Sequence, residues 1–280
     1  MTVLQLDPTR TTLLRRKFVA DMTRRFKSLS REVYEQVAVN DVFGLRLQTL
    51  RQEYRFLTDS EKVTSYQAWL KKQVDEKILT SSQINGQPWT SVYIGSAHKK
   101  GFERAVADVS KIEGGFYEGT KGEFIRTAFT QPELQSKVQL LYTRTFNELK
   151  GVTDTMGQQM GRILADGLSQ GKGPVTIARD LRKNLTKLTK TRALVIARTE
   201  TIHAHAEGQL DSLKLLKIEK VSAQVEFSTA GDDRVCEQCQ NLQGEEYTID
   251  AARGIIPIHP NCRCAWMPVI NITKRNRSIK

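Results

Sequence analysis

The stretch that decides the architecture of this chain is residues 232–264, which read DDRVCEQCQNLQGEEYTIDAARGIIPIHPNCRC. It holds all four cysteines of the 280-residue chain. A CxxC is followed, nineteen residues later, by an HxxCxC; the side chains concerned are Cys236, Cys239, His259, Cys262 and Cys264. Cysteines that only fill a core would be scattered along the chain, so this clustering indicates a shared function.

A structural zinc site fits this pattern. Two thiolates of a CxxC converge on one ion from a tight turn, and the second group can complete a tetrahedron. Cys236, Cys239 and Cys262 are the first candidates, with either Cys264 or His259 as the fourth ligand. Five soft donors leave no position open for water, which favours a structural over a catalytic metal. Reduced, unligated thiols and a disulfide formed after cell lysis are the alternatives.

The N-terminus bears on that choice. It lacks the basic start and apolar run of a signal peptide, so we expect synthesis in a reducing cytoplasm, where thiolates stay free for metal. No window approaches 18 uninterrupted apolar residues, and no membrane span is expected.

Upstream of the cluster the apolar spacing is helical. Leu14, Phe18, Met22 and Phe26 begin a series of three- and four-residue steps that recurs as far as about residue 216. The predicted organisation is an N-terminal helical region at 1–115, an irregular connection at 116–130, a second helical part at 131–216, a small β-rich metal-binding module at 217–270 and a basic tail at 271–280.

The pattern changes after residue 217. Residues 220–227 alternate with period two and residues 265–270 are apolar and β-prone, so both are predicted to be strands. The expected fold class is mainly α with a small α+β C-terminal module: an elongated helical body and a zinc-knuckle-like, β-rich terminal domain. Replacing Cys236 and Cys239 should then unfold only the residues after about 217.

Positive charge is unevenly distributed. The chain carries a formal net charge of +12, which favours polyanionic partners, DNA above all. Eight cations against two acids lie between residues 171 and 200. Those predicted to contact DNA without sequence preference are Lys172, Arg179, Arg182, Lys183, Lys187, Lys190 and Arg192. The alternative is that these charges only solvate a helix face.

The helix predicted before the module has two distinct faces. Ala197, Ala204 and Gly208 form a stripe of small residues that allows another element to approach closely. Arg198 is predicted to pair with a carboxylate of the module, either Asp232 or Asp233. Together with Glu200, these residues are assigned a structural role. His203 and His205 are expected to be surface or hydrogen-bonded residues.

Several motifs resemble one known family in the same order. They are ARTET at 197–201, STAGDDRVCEQC at 228–239, LQG at 242–244 and IPIHPNCRC at 256–264. This combination is similar to that of the phage Mu F-like head-morphogenesis proteins. Agreement before residue 130 is weaker.

The resemblance implies a minor capsid protein of a tailed bacteriophage that acts in head assembly. Its partners would be the portal protein, capsid or scaffold proteins and non-specific DNA during packaging or ejection. It would reside in the virion, in the head interior or at the portal vertex, after synthesis in the host cytoplasm. No enzymatic activity is expected.

Two enzymes and one binding protein are the rival hypotheses. A zinc-dependent nuclease would use His203, His205 or His259 with Asp232 and Asp233. An ADP-ribosyltransferase-like enzyme would use Arg198, residues 227–229 and residues 243–245, although the last two motifs are close together for that fold. A host DNA-binding protein with a convergent zinc module is the third, but the sequence has no evident groove-reading motif.

Overall fold

A computed structural model describes residues 7–46, 58–79, 86–112, 119–216 and 224–269. The predicted basic tail at 271–280 and the first residues of the predicted strand at 220–227 lie outside these ranges. None of the described helices has an apolar stretch sufficient to cross a bilayer.

Helices dominate the described chain. The long ones are α1 (Thr12–Tyr34), α2 (Asp59–Val74), α3 (Ser91–Ile112), α4 (Lys121–Thr130), α5 (Pro132–Ser169), α6 (Pro174–Leu188) and α7 (Leu194–Leu215). Short π-helical segments extend α1 and α2 and join α6 to α7: Glu35–Val39, Asp75–Leu79 and Thr189–Ala193. The expected predominance of helix is therefore confirmed.

A small sheet follows the helices. Its strands are β1 (Gln224–Ser228), β2 (Glu246–Tyr247) and β3 (Ala265–Val269), in the order β2-β1-β3 with both pairings antiparallel. Phe227 of β1 lies opposite Trp266 of β3. Two short helices, α8 (Glu237–Asn241) and α9 (Ile249–Ala252), lie between the strands in sequence. The predicted small α+β region at the C-terminal end is thus also confirmed.

The predicted irregular connection at 116–130 is wrong for its last ten residues. Helix α4 occupies Lys121–Thr130 and begins with a capping box, in which Thr120 and Glu123 satisfy each other's backbone N–H groups. The sequence contains this T-x-x-E signal at Thr120 and Glu123, so the helix start could have been predicted. Residues 113–118 lie outside the described part of the chain.

The chain divides into two compact units, each assembled from separate stretches. Unit 1 comprises Met1–Phe18, Thr90–Arg144 and Ala197–Lys280, and unit 2 comprises Val19–Trp89 and Thr145–Ile196. In unit 2, α6 packs against the π-helical segment Glu35–Val39 and buries Ile177, Leu181 and Leu185. The apolar positions of α6 therefore face the core and leave its charged positions outward.

In unit 1 the sheet and the helices share one core. Phe227 and Trp266 from the sheet belong to the same buried cluster as Phe102 of α3 and Leu210 of α7. Three cysteines, Cys239, Cys262 and Cys264, are buried in this cluster as well. The C-terminal region thus has no hydrophobic core of its own among the described residues.

Helices α3 and α7 cross at backbone contact. A Cβ added to Gly101 would lie 1.9 Å from the carbonyl oxygen of His205, and one added to Gly208 would lie 2.1 Å from that of His98. Only glycine fits at both places. The close approach expected at Gly208 is therefore present, and α3 is the element that makes it.

Candidate metal centre

The CxxC lies where the chain enters a short helix. Cys236 is the N-cap residue of α8, and Cys239 lies within the helix. The N–H of Gln240 donates to the carbonyl oxygen of Cys236 at 2.9 Å, which closes the turn. This local geometry turns both thiols toward the same side. Cys236 is exposed and Cys239 is buried.

A second turn brings in His259 and Cys262. The N–H of Cys262 donates to the carbonyl oxygen of His259 at 3.1 Å, and Asn261 between them has a φ of 64°. Asparagine is among the few residues other than glycine that tolerate this left-handed conformation. The N–H of Asn261 donates to the hydroxyl of Thr199 on α7 at 3.2 Å, so the turn is anchored to that helix.

The ligand atoms of the two turns converge. Nε2 of His259 lies 3.1 Å from the sulfur of Cys236 and 3.1 Å from that of Cys239. The sulfurs of Cys239 and Cys262 are 4.0 Å apart. Two sets of three donors, each mutually within 4.8 Å, meet at Cys239: one with Cys236 and His259, and one with Cys262 and Cys264. The arrangement can hold a metal ion.

The four thiols differ in how easily they ionise. A hydrogen bond from the Cys264 thiol, together with the Cys264 backbone N–H, lowers the pKa of Cys262 to about 5. Burial and the neighbouring Cys262 raise the pKa of Cys239 to about 12, and the hydrogen bond to Cys262 together with burial raises that of Cys264 further. A divalent cation would stabilise the thiolates that this crowding disfavours.

Asp232 pairs with Arg234 of its own loop and with Arg263 of the second metal loop, and the predicted pairing with Arg198 is wrong. Its carboxylate accepts a hydrogen bond from Arg263 at 2.6 Å and another from Arg234 at 3.0 Å, which lower the pKa of Asp232. Arg198 is exposed and forms no ion pair with any described residue. Both carboxylate oxygens of Asp232 are instead occupied by Arg234 and Arg263.

The other residues assigned a structural role lie apart from that ion pair. Glu200 is buried and accepts a hydrogen bond from Arg144 of α5 at 3.0 Å. Asp233 is exposed. Sequence reasoning missed Arg263, although its position between Cys262 and Cys264 was a signal that it shares their loop.

Polar side chains fasten the metal loops to α7. The side-chain amide of Gln209 donates to the carbonyl oxygen of Trp266 at 2.7 Å and accepts from its N–H at 3.1 Å. Arg253, after α9, donates to Glu207 at 2.9 Å and to Asp211 at 2.8 Å. These contacts were not predicted from the sequence, because the two partners of each are more than 40 residues apart along the chain.

Six of the seven predicted DNA-contacting residues lie on α6 and the π-helical segment that follows it, and Lys172 lies just before α6. Six of them are exposed: Arg179, Arg182, Lys183, Lys187, Lys190 and Arg192. Lys172 is half-buried and pairs with Asp180 at 3.1 Å. Five of the exposed cations, together with Thr186, line one shallow surface, which we call the basic face.

The structure brings together only some of the residues that the two rival enzyme hypotheses require. His205 is buried, and burial lowers its pKa to about 3. Among the described residues, the sets of three metal-ligand atoms found within 4.8 Å of one another involve neither His203, His205, Asp232 nor Asp233. Thr229 donates to the side-chain oxygen of Gln243 at 2.7 Å, which closes the loop between them.

Fold and site together define a mainly helical protein whose C-terminal region is organised around a convergent cluster of cysteine and histidine side chains. Residues 158–267 match the family model described as Phage Mu protein F like protein. The chain thus contains a phage Mu F-like region, which confirms the resemblance seen in its motifs. Comparisons with curated proteins and with solved structures give no match.

Proposed function

We propose that this protein is a minor capsid protein of a tailed phage, located at the portal vertex or in the head interior. The observation that carries the proposal is that the family match over residues 158–267 includes the whole Cys/His cluster. The cluster shapes the loops that pack on α7, which suits a structural part of an assembly better than an open catalytic centre.

Purified heads test this proposal. Heads assembled with an epitope-tagged copy should contain the chain, and a pull-down on the tag should recover portal protein. Heads that assemble and package normally without the chain, and from which the tagged chain is absent, would contradict it. A chain found only in the host cell bound to chromosomal DNA would favour the convergent DNA-binding protein instead.

Zinc is the metal that we propose for the cluster, with Cys236, Cys239, Cys262 and His259 as ligands. Thiolate and imidazole donors in a closed tetrahedral set are typical of structural zinc. His259 is favoured as the fourth ligand because its Nδ1–H donates to the carbonyl oxygen of Pro260 at 2.8 Å. That bond leaves the lone pair of Nε2 directed at the sulfurs of Cys236 and Cys239.

Cys264 then has a supporting role. Its sulfur lies within 4.8 Å of those of Cys239 and Cys262, so its thiol is placed to donate a hydrogen bond to the thiolate of Cys262. Cys264 is buried immediately before β3, at the inner side of the loop. Such hydrogen bonds to ligand atoms are common around zinc and orient the ligand.

Metal analysis of two variants distinguishes the ligand sets. Anaerobically purified protein should contain close to one zinc per chain. His259→Ala should lose most of it, whereas Cys264→Ser should retain it. Cobalt substitution adds a second measurement, since the visible bands of a three-thiolate site differ from those of a four-thiolate site. Zinc retained in His259→Ala and lost in Cys264→Ser would reverse the assignment.

The basic face is proposed to contact DNA without sequence preference. Its cations lie on one side of α6 because the opposite side is buried. Each phosphate contact releases condensed counterions, and the free energy gained from that release falls as the salt concentration rises. The packaged genome, or a portion of it that passes the portal, is the expected DNA.

Salt titration of a matched pair of variants tests this contact. Lys183→Ala with Lys187→Ala should lower the slope of log affinity against log salt by about 2, one unit for each lost contact. Lys71→Ala with Lys72→Ala on α2 removes the same charge from exposed positions of the same unit. Equal effects of the two pairs would show that only net charge matters.

A structural role without catalysis is part of the same proposal. Plasmid nicking and hydrolysis of a dinucleotide cofactor are the direct assays for the two rival enzymes. Both should be absent from zinc-loaded protein. Nicking that is lost in His205→Ala, with zinc content unchanged, would establish the nuclease.

A further inference from the structure

Five arginines line one cavity in unit 1, which we call the arginine cavity. It has a volume of about 540 Å³ and its charged lining consists of Asp7, Arg10, Arg15, Arg16, Arg234 and Arg263. Arg15 and Arg16 lie in the first turns of α1 and Arg10 just before it, whereas Arg234 and Arg263 lie in the loops that carry the candidate metal ligands. The cavity is therefore built by two distant parts of the chain that fold together.

Nearby carboxylates neutralise only part of this charge. Asp7 pairs with Arg15 and also accepts hydrogen bonds from the hydroxyls of Thr9 at 2.7 Å and Thr12 at 2.8 Å. Asp232 is shared by Arg234 and Arg263. Arg10 and Arg16 are exposed and form no ion pair with any described residue.

The backbone adds to the positive potential. Helix α1 begins at Thr12, and its first turn contains no acidic residue. The N-terminal end of a helix carries partial positive charge and unsatisfied N–H groups, so an anion there is stabilised. Arg10 just before it has a φ of 52°, a left-handed conformation that is costly for arginine and persists only where the surroundings hold it.

Arg15 is mostly buried among these like charges. Burial, and then the guanidinium groups of Arg263 and Arg198, lower the pKa of Arg15 despite its pairing with Asp7. Its Nε–H is buried and has no hydrogen-bond partner among the described residues. A further anion in the cavity would satisfy this donor and offset the repulsion.

We propose that the arginine cavity binds a phosphate group. Guanidinium groups present paired donors that match two oxygens of one phosphate, and several of them in one concave site suit a ligand with more than one negative charge. The source is either the backbone of a nucleic acid or a free phosphate compound. The proposal stands on the charges of this cavity and is independent of the contact proposed for the basic face.

Pyrophosphate and a short DNA duplex are the two probes. Arg10→Ala with Arg16→Ala removes the two exposed arginines and breaks no ion pair between described residues. Lys121→Ala with Arg126→Ala is the control, because it removes two exposed charges from α4 of the same unit. Calorimetry in phosphate-free buffer of low ionic strength gives both affinities, and far-UV circular dichroism verifies folding. Arg16→Gln alone replaces the double variant if that variant does not fold.

The arginine pair should weaken binding of at least one probe by about tenfold, the control pair by less than about twofold. Specific loss of duplex binding identifies nucleic acid as the source, and loss of pyrophosphate binding alone identifies a free phosphate compound. Two outcomes would overturn the proposal: neither probe distinguishes the two pairs of variants, or the full-length wild-type protein binds neither probe.

Discussion

A single buried carboxylate, Asp211 on α7, gathers three cationic or donor side chains in unit 1. It accepts hydrogen bonds from His98 at 3.0 Å, Lys137 at 2.7 Å and Arg253 at 2.8 Å. Burial alone would raise the pKa of Asp211, but these bonds outweigh it and lower the pKa to about 2. One side chain therefore links α3, α5 and the chain after α9 to α7.

Acid should weaken unit 1 through this residue. The pKa of Asp211 is about 2 in the folded protein and 3.8 in the unfolded chain. Its hydrogen bonds therefore contribute their full stabilisation above about pH 4. This stabilisation amounts to roughly 2 kcal/mol. It is lost as the pH falls from about 4 through about 2 and Asp211 becomes protonated. Urea unfolding between pH 6 and pH 2.5 measures the free energy of unfolding. Asp211→Asn should be less stable at pH 6 and show a flatter pH dependence; parallel curves would contradict this reading.

At the scale of whole elements, the crossing of α3 and α7 depends on glycine. Gly208→Ala should destabilise the protein by about 1–3 kcal/mol, because the added methyl group must displace the backbone of α3. Gly151→Ala is the control: it lies in α5 with nothing within 4 Å of the added atom. That change should instead stabilise by about 0.5–1 kcal/mol. Thermal and urea unfolding of both variants measure the difference.

The side-chain amide of Gln209 connects α7 to β3 through two hydrogen bonds to the backbone of Trp266. Gln209→Leu should cost about 1–3 kcal/mol for each backbone group of Trp266 that it leaves buried without a partner. Gln158→Leu on the exposed side of α5 should change the free energy of unfolding by less than about 0.5 kcal/mol. Similar effects at both positions would mean that β3 is held by packing alone.

Elements with strong periodicity could be predicted from the sequence, and so could the cluster of donors. A second helical part was predicted at 131–216, and helix α5 lies within it at Pro132–Ser169. Its apolar residues recur at helical spacing over many turns, and so long a pattern is compatible with few other secondary structures. The CxxC and HxxCxC likewise carry their geometry locally, in turns of three or four residues.

Contacts between distant residues could not be predicted. Arg198 was predicted to pair with Asp232 or Asp233, yet Arg234 and Arg263 occupy Asp232. Nothing local in the sequence shows that Arg253 reaches Asp211 or that Gln209 holds Trp266. These partners are determined by how elements pack, which depends on the whole core rather than on any one stretch.

On the scale of the whole molecule, metal loss should reach well beyond the metal loops. Since Cys239 and Cys262 lie in the same core as α3 and α7, replacing Cys236 and Cys239 with serine should destabilise unit 1 as a whole. This revises the expectation from sequence that only residues after about 217 would unfold. Hydrogen exchange should show protection lost in α3 and α7 and retained in α2 and α6 of unit 2.

Chelation of the wild-type protein provides the matching control. It removes the metal without changing a side chain, so it should produce the same exchange pattern as the double serine variant. Protection retained throughout α3 and α7 in both samples would show that the metal supports only the loops around it.

The shared core of unit 1 also sets an order of events during synthesis. Phe102 of α3 and Trp266 of β3 both belong to that core, but Trp266 is translated more than 160 residues after Phe102. Unit 2 is complete in sequence at Ile196 and can fold while the rest is still being translated. The N-terminal arginines and α3 must meanwhile wait for β3, so a nascent chain exposes the unpacked face of α3 until the residues of β3 have been translated.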